Sequence, residues 1–128
     1  MARRDYTKPN TVDMGAKPTE SNSVNPVKRQ KIFISLPMNG RSETDVLNEI
    51  KLIGEKFKEN YDIIDSYHQE DDPNGIDNRS GVWYLGNSLR LLRTADLVVF
   101  SRDWAKARGC IIEHRVCEYY DIPFIELI

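Results

Sequence analysis

Hydrophobic and polar positions divide the chain near residue 30. The first 30 residues contain no Leu, Ile, Phe or Trp, and Pro9, Pro18 and Pro26 interrupt a mixture of Asn, Ser, Thr and Lys with no period of 2 or 3.6. Such a segment buries too little apolar surface to offset its ordering entropy, so residues 1–30 are predicted to form a disordered tail. From Lys31 the texture changes. Lys31-Ile-Phe-Ile-Ser-Leu36 is a short apolar run bounded by Pro37 and Gly40, the signature of a buried strand. Ser42 stands three before Asp45 and opens a capping pattern, after which Val46, Leu47, Ile50, Ile53 and Phe57 recur at helical spacing to about Glu59. Tyr61 to Asp65 reads as a second strand. The polar stretch from Ser66 to Ser80 reads as a lid or specificity loop. A second helix is predicted over Val82 to Thr94, with Leu85, Leu89 and Leu92 on one face. Asp96 to Ser101 is a third buried strand, a helix follows from near Gly109 to Tyr120, and Ile122 to Leu127 closes the pattern as a fourth strand.

The alternation β-α-β-α-β-α-β predicts an α/β domain over residues 31–128. It is a small flavodoxin-like or Rossmann-like unit of about four parallel strands, with helices on both faces and right-handed crossovers. Ligands of such sheets bind beyond the carboxyl ends of the strands. That singles out three loops: Pro37 to Ser42, Ser66 to Ser80, and Arg102 to Cys110. Ninety-eight residues is small for this architecture, so a homo-oligomer that covers exposed surface is expected.

Charge changes the picture in one respect. The chain carries 18 Lys and Arg against 20 Asp and Glu, a formal charge of -2 that disfavours a globally basic nucleic-acid binder. The tail holds +3 of this and the domain -5. An anionic ligand would therefore have to be held locally, by Arg41 and Arg108. The tail itself reads as a basic arm or as a solvated leader. No run approaches the roughly 18 apolar residues that span a membrane, and MARRDYTKPN lacks the apolar stretch of a secretory signal. Cys110 and Cys117, seven apart on one predicted helix, are too far apart along its axis to bridge. A cytoplasmic protein with reduced thiols is expected.

Four places offer chemistry. Asn39-Gly40-Arg41-Ser42 is a tight turn ahead of a helix, which is either an anion site built from N–H groups and a guanidinium or simply a turn. Glu113 falls near the start of the third helix. There the macrodipole would stabilise its carboxylate as a nucleophile, or the residue serves helix stability alone. Asp96 opens the third strand, and Trp104 and Arg108 follow on the next loop, where the indole either stacks on a ligand or packs under the loop. Cys110 near a helix start has no identifiable partner His. His68 and His114 join no set at metal-ligand spacing, and no GxGxxG or Walker loop occurs, so neither metal nor cofactor is expected.

These residues resemble a known family. Ile32-Phe-Ile-Ser-Leu-Pro-Met38 is similar to the first-strand motif of nucleoside 2-deoxyribosyltransferases, Ile-Tyr-Leu-Ala-Gly-Pro-Met/Phe. Ala95-Asp96-Leu-Val-Val followed by Gly109-Cys-Ile-Ile-Glu113 resembles their Ala-Asp-x-x-Val strand and Gly-Thr-Ala-x-Glu motif. Asn39-Gly40-Arg41 is similar to the Gly-Gly-Arg phosphate-binding turn of deoxynucleoside 5'-monophosphate N-glycosidases. The segment from Trp104 to Glu113 resembles the Trp-x-x-Ala-Arg-Gly-Cys-x-x-Glu of an uncharacterised phage and bacterial branch.

The resemblance implies cleavage or transfer at the N-glycosidic bond of a nucleoside or nucleoside 5'-monophosphate in a bacterial or phage-infected cytosol. Glu113 would attack the anomeric carbon, and Asp96 would lie near the sugar. Pro37, Met38, Asn39, Gly40, Arg41, Ser88, Trp104, Arg108 and Gly109 would line the substrate site, with Arg41 on the phosphate and Trp104 beside the base. The partner would be that small molecule, with no membrane and no specific nucleic acid. The sequence departs from the family at Phe33, which replaces a tyrosine that orients the nucleophile, and at Leu36, which replaces a glycine. It departs also at Arg108, Arg115 and Ser88, the last near a catalytic aspartate of the hydrolases. Asp65, His68 and Asp103 remain as candidate proton donors. The alternative is a non-catalytic module that retains a nucleotide, and a third is an interaction domain in which Glu113 serves only its helix.

Overall fold

The computed structural model describes residues 29–128, so the predicted disorder of the tail falls almost wholly outside the described residues. Four strands form one parallel sheet: β1 (Gln30–Ser35), β2 (Tyr61–Ile63), β3 (Leu97–Phe100) and β4 (Phe124–Glu126), in the order β2-β1-β3-β4. Ile32 sits at the centre, paired with Ile63 on one side and Leu97 on the other. Three helices connect the strands: α1 (Glu43–Glu55), α2 (Ser80–Leu92) and α3 (Arg108–Tyr119), with a short 3-10 turn at Trp104–Lys106. This is the small flavodoxin-like α/β sheet that the pattern predicts.

Period-two alternation in β1 assigns the faces. Ile32, Ile34 and Leu36 pack with Val99 against Val46 and Ile53 of α1. Phe33 packs with Val98 and Phe100 against Leu92 of α2 and Cys117 of α3. Each such side chain contributes roughly 1.5–3 kcal/mol on full burial, so these two layers carry most of the driving force. Sheet direction reverses between β1 and β3, because β1 leads outward to β2 and the chain then returns across β1 to build β3 and β4. The switch point, where ligands of such folds bind, therefore lies over the carboxyl ends of β1 and β3.

Element ends differ from the expected ones for local reasons. β2 stops at Ile63 instead of Asp65, because the Asp65 carboxylate accepts the N–H groups of Tyr67 and His68 and turns the chain. α1 ends at Glu55 rather than Glu59, where Lys56 and Phe57 donate to carbonyls three residues back and tighten the last turn. α2 starts two residues early, with the Ser80 hydroxyl accepting from the Asp77 N–H. α3 ends at Tyr119, and past its cap Asp121 at φ 55 is a left-handed residue that lets the Ile122 N–H reach the Cys117 carbonyl. Among the described residues, no helix is long and apolar enough to cross a membrane.

Candidate functional site

The carboxyl ends of β1 and β3 both finish in serine. Ser35 is the last residue of β1 and Ser101 directly follows β3, and the Ser101 N–H donates to the Ser35 carbonyl at 2.9 Å. Alternation sends the two hydroxyls to opposite faces of the sheet. The Ser35 hydroxyl, on the α3 face, donates to Glu113 Oε1 at 2.6 Å. The Ser101 hydroxyl is fully buried and has no hydrogen-bond partner. A buried hydroxyl with nothing to bond is costly, and this one lies on the α1 face, away from Glu113.

Glu113 is 7% exposed. It lies in the second turn of α3, which starts at Arg108. The expectation that the helix start would stabilise its charge is therefore corrected, since the unpaired N–H groups and the dipole act within the first turn. Burial dominates instead and pushes the carboxyl up to about 7, with the Ser35 hydrogen bond pulling the other way. At neutral pH the group is divided between acid and carboxylate. Burial also pushes the Cys110 thiol up to about 11, the reverse of an activated nucleophile. Cys110 and Cys117 are both free, as expected.

The chain matches no family model, no curated protein and no solved structure. The site is therefore read from its own residues.

Several predicted residues surround the switch point. Residues 38–41 form a turn closed by the Arg41 N–H on the Met38 carbonyl, with Gly40 at φ 78, the left-handed position that a type II turn demands. Ser42 caps α1 by accepting the Asp45 N–H. Arg41 is not an open anion receptor. Its guanidinium donates to Asp45 at 2.7 Å and to the Pro37 carbonyl at 2.7 Å, and pairs with Glu49 at 2.8 Å. The Asp45 hydrogen bond above all, with Glu49 beside it, holds the Arg41 proton more tightly than usual. Arg108 differs: it is exposed beside Gly81 at the start of α2 and has no polar partner among the described residues. Gly109 follows it with open space where a side chain would stand.

The loop after β2 borders the same end of the sheet. Tyr67 and Met38 both pack on the Leu36 cluster, and Gln69 donates to Ser88 of α2 at 3.1 Å and to the Ser66 carbonyl at 3.2 Å. Gln69 Oε1 is buried without a partner, the second unsatisfied polar atom of this region. His68 Nδ1 sits 2.9 Å from Asp65 and its Nε2 lies 3.9 Å from Glu43. Asp103 pairs with Lys106 at 3.5 Å.

Two predicted site residues lie elsewhere or do other work. Asp96 is at the amino end of β3, where its carboxylate accepts the Lys31 N–H at 2.8 Å. Five steps of extended chain, about 16 Å, separate it from Ser101, so its expected place near the sugar is corrected. Trp104 stacks on His114 with centroids 4.0 Å apart and planes 1° from parallel. His114 is itself 7% exposed, hydrogen-bonded to Glu126 at 2.6 Å and ringed by Phe100 and Phe124. Of the two readings of Trp104, the packing one describes this arrangement. Among the described residues, no group of three or more His, Cys, Asp or Glu could hold a metal ion.

Ser35, Ser101 and Gln69 were not among the residues the sequence singled out. A signal existed for the serines, since each is a lone hydroxyl residue in or directly after an apolar strand run, where burial makes a hydrogen-bond partner valuable.

Proposed function

We propose that the switch-point site binds a nucleoside or nucleoside 5'-monophosphate and cleaves or transfers at its N-glycosidic bond, with Glu113 as nucleophile. The observation that carries this reading is the Ser35–Glu113 hydrogen bond at 2.6 Å, at the carboxyl ends of the strands. The motif resemblance assigns Glu113 this role but lacks the orienting tyrosine, which is Phe33 in this chain and is buried in the opposite layer from α1. Ser35 supplies an orienting hydroxyl from the same strand two residues later. The ionised carboxylate attacks the anomeric carbon, forming a glycosyl ester while the C–N electron pair leaves with the base. Water or a second base then opens the ester. Arg108 and the open backbone at Gly109 are suited to the anionic part of the substrate.

Base release from a panel of deoxynucleosides and their monophosphates tests the reading. Wild type is expected to release free base and Glu113→Gln to lose that activity. Equal rates in the two proteins would overturn it. The placement of Asp96 at the far end of the sheet favours a second reading, a module that retains a nucleotide without turnover, because the carboxylate expected near the sugar is absent from the site. Calorimetry that finds tight binding of an unaltered nucleotide, with no base released, would select it.

A further inference from the structure

We infer that the outer surface of α2 and α3 binds the phosphate backbone of single-stranded nucleic acid without reading its sequence. On α2, at 100° per residue, the caps Arg79 and Arg93 and the last-turn Arg90 fall opposite Ser88, which meets Gln69, and Leu92, which lies in the core layer. On α3, Arg108 and Arg115 fall opposite the buried Glu113 and Cys117. Both helices pack on the same face of the sheet, so the arginines share one surface, and all are exposed.

None of them has a carboxylate partner among the described residues. Arg90 bonds the Asn87 amide at 2.7 Å and Arg115 reaches the Tyr119 hydroxyl at 3.5 Å, while the guanidiniums of Arg79, Arg93 and Arg108 have no hydrogen-bond or ion-pair partner. Arg29 and Arg41, by contrast, are both ion-paired. α2 contains no acidic residue, and those of α3 are Glu113, which is buried, and Glu118, which lies 3.9 Å from His114. Asp71 approaches α2 at Tyr84, on the side away from the arginines. A domain of net negative charge thus presents one surface of positive charge.

Guanidinium without a partner in its own chain calls for a polyanion, and its planar fork suits phosphate oxygens. From Arg79 to Arg93 the row runs about 21 Å, the span of several nucleotides. Trp83 stands between Arg79 and Arg90. It is half-buried and has spent its N–H on the Glu70 carbonyl at 3.3 Å, so it offers ring surface on which an unpaired base can stack. Gly86 keeps the middle of the row open, since a side chain added there meets no atom within 4 Å. An anionic membrane would need an apolar helix face to insert, and the leucines of α2 are turned onto the sheet. At its Arg79 end the row reaches Gly81 and Arg108, where a strand would lead a nucleotide toward Glu113. That extension rests on the reading of Glu113 as nucleophile; the binding does not.

Fluorescence anisotropy with a labelled oligothymidylate of about 15 nucleotides, on the full chain, tests this. Log affinity is expected to fall against log salt with a slope of at least about -3.5, from five phosphate contacts at about 0.7 each. Removing three of them together, as Arg90→Ala, Arg93→Ala and Arg115→Ala, should reduce the slope by about 2 and weaken binding about tenfold or more, with circular dichroism unchanged. Removing three charges from α1 and its end, as Lys51→Ala, Lys56→Ala and Lys58→Ala, should change affinity by no more than about twofold. Undetectable binding, an equal loss in the two triple variants, or a duplex or anionic vesicles bound as tightly as the single strand would overturn the proposal. Each of these results is independent of whether Glu113 releases base.

Discussion

Ser35 and Glu113 stand 78 positions apart in the chain and meet at 2.6 Å, one at the carboxyl end of β1 and the other in the second turn of α3. The contact joins β1 to α3, which among the described residues is the only helix with a buried carboxyl group, and it does so at the switch point of the sheet. The chemistry proposed for this protein depends on how that pair titrates and what it faces.

Stability should depend on the protonation of Glu113. Its carboxyl sits at about 7 in the folded protein against an ordinary 4.5, so the native state binds the proton more tightly than the unfolded state. The stabilisation is complete below pH 4.5 and is lost as pH rises through about 7. Its size is about 3 kcal/mol. Melting temperatures across pH 4–8 should show Glu113→Gln without this fall and more stable than wild type at pH 8.

Removing the Ser35 hydroxyl should act on the same group. The hydrogen bond favours the carboxylate, so Ser35→Ala is expected to raise the Glu113 value further and to cost about 1–3 kcal/mol of stability at pH 8. The acid limb of the rate profile for base release, which follows ionisation of Glu113, should move to higher pH. An unmoved limb would mean that Ser35 does not orient the nucleophile.

The succession of strands and helices follows from the spacing of Ile, Val, Leu and Phe, because burial acts on whole runs and tolerates errors of a residue or two at the ends, whereas the order β2-β1-β3-β4 comes from the structure. The site is less legible. Ser35 sits within an apolar run and reads as one more strand residue, and its partner is set by how α3 lies on the sheet. Asp96 shows the converse. Its place beside Val98 and Val99 in the sequence is correct, but strand direction sends it to the end of the sheet away from Ser101. The Arg41 pairing was open to an i,i+4 reading, since Asp45 lies one helical turn on.

Trp104 should prove structural. With its indole stacked on His114, Trp104→Ala is expected to cost about 2–4 kcal/mol, and His114→Ala a similar amount through the lost stack and the lost Glu126 bond. Chemical denaturation measures both. Because the two residues share one contact, the double variant should cost less than the sum.

Asp96 should be dispensable for chemistry. Asp96→Ala removes the acceptor of the Lys31 N–H, a stability cost of about 0.5–1.5 kcal/mol. Rates of base release should stay within about twofold of wild type. A loss comparable to that of Glu113→Gln would place Asp96 in the site after all.

The most direct measurement is the mass of the intact protein after incubation with a 2'-fluorinated nucleoside or nucleotide, whose electron-poor sugar slows hydrolysis of a glycosyl ester. Wild type should gain one glycosyl unit, mapped by peptide fragmentation to Glu113, and Glu113→Gln should gain none. Base release by wild type with no adduct on Glu113, or an adduct on another residue, would contradict the assignment of Glu113 as nucleophile.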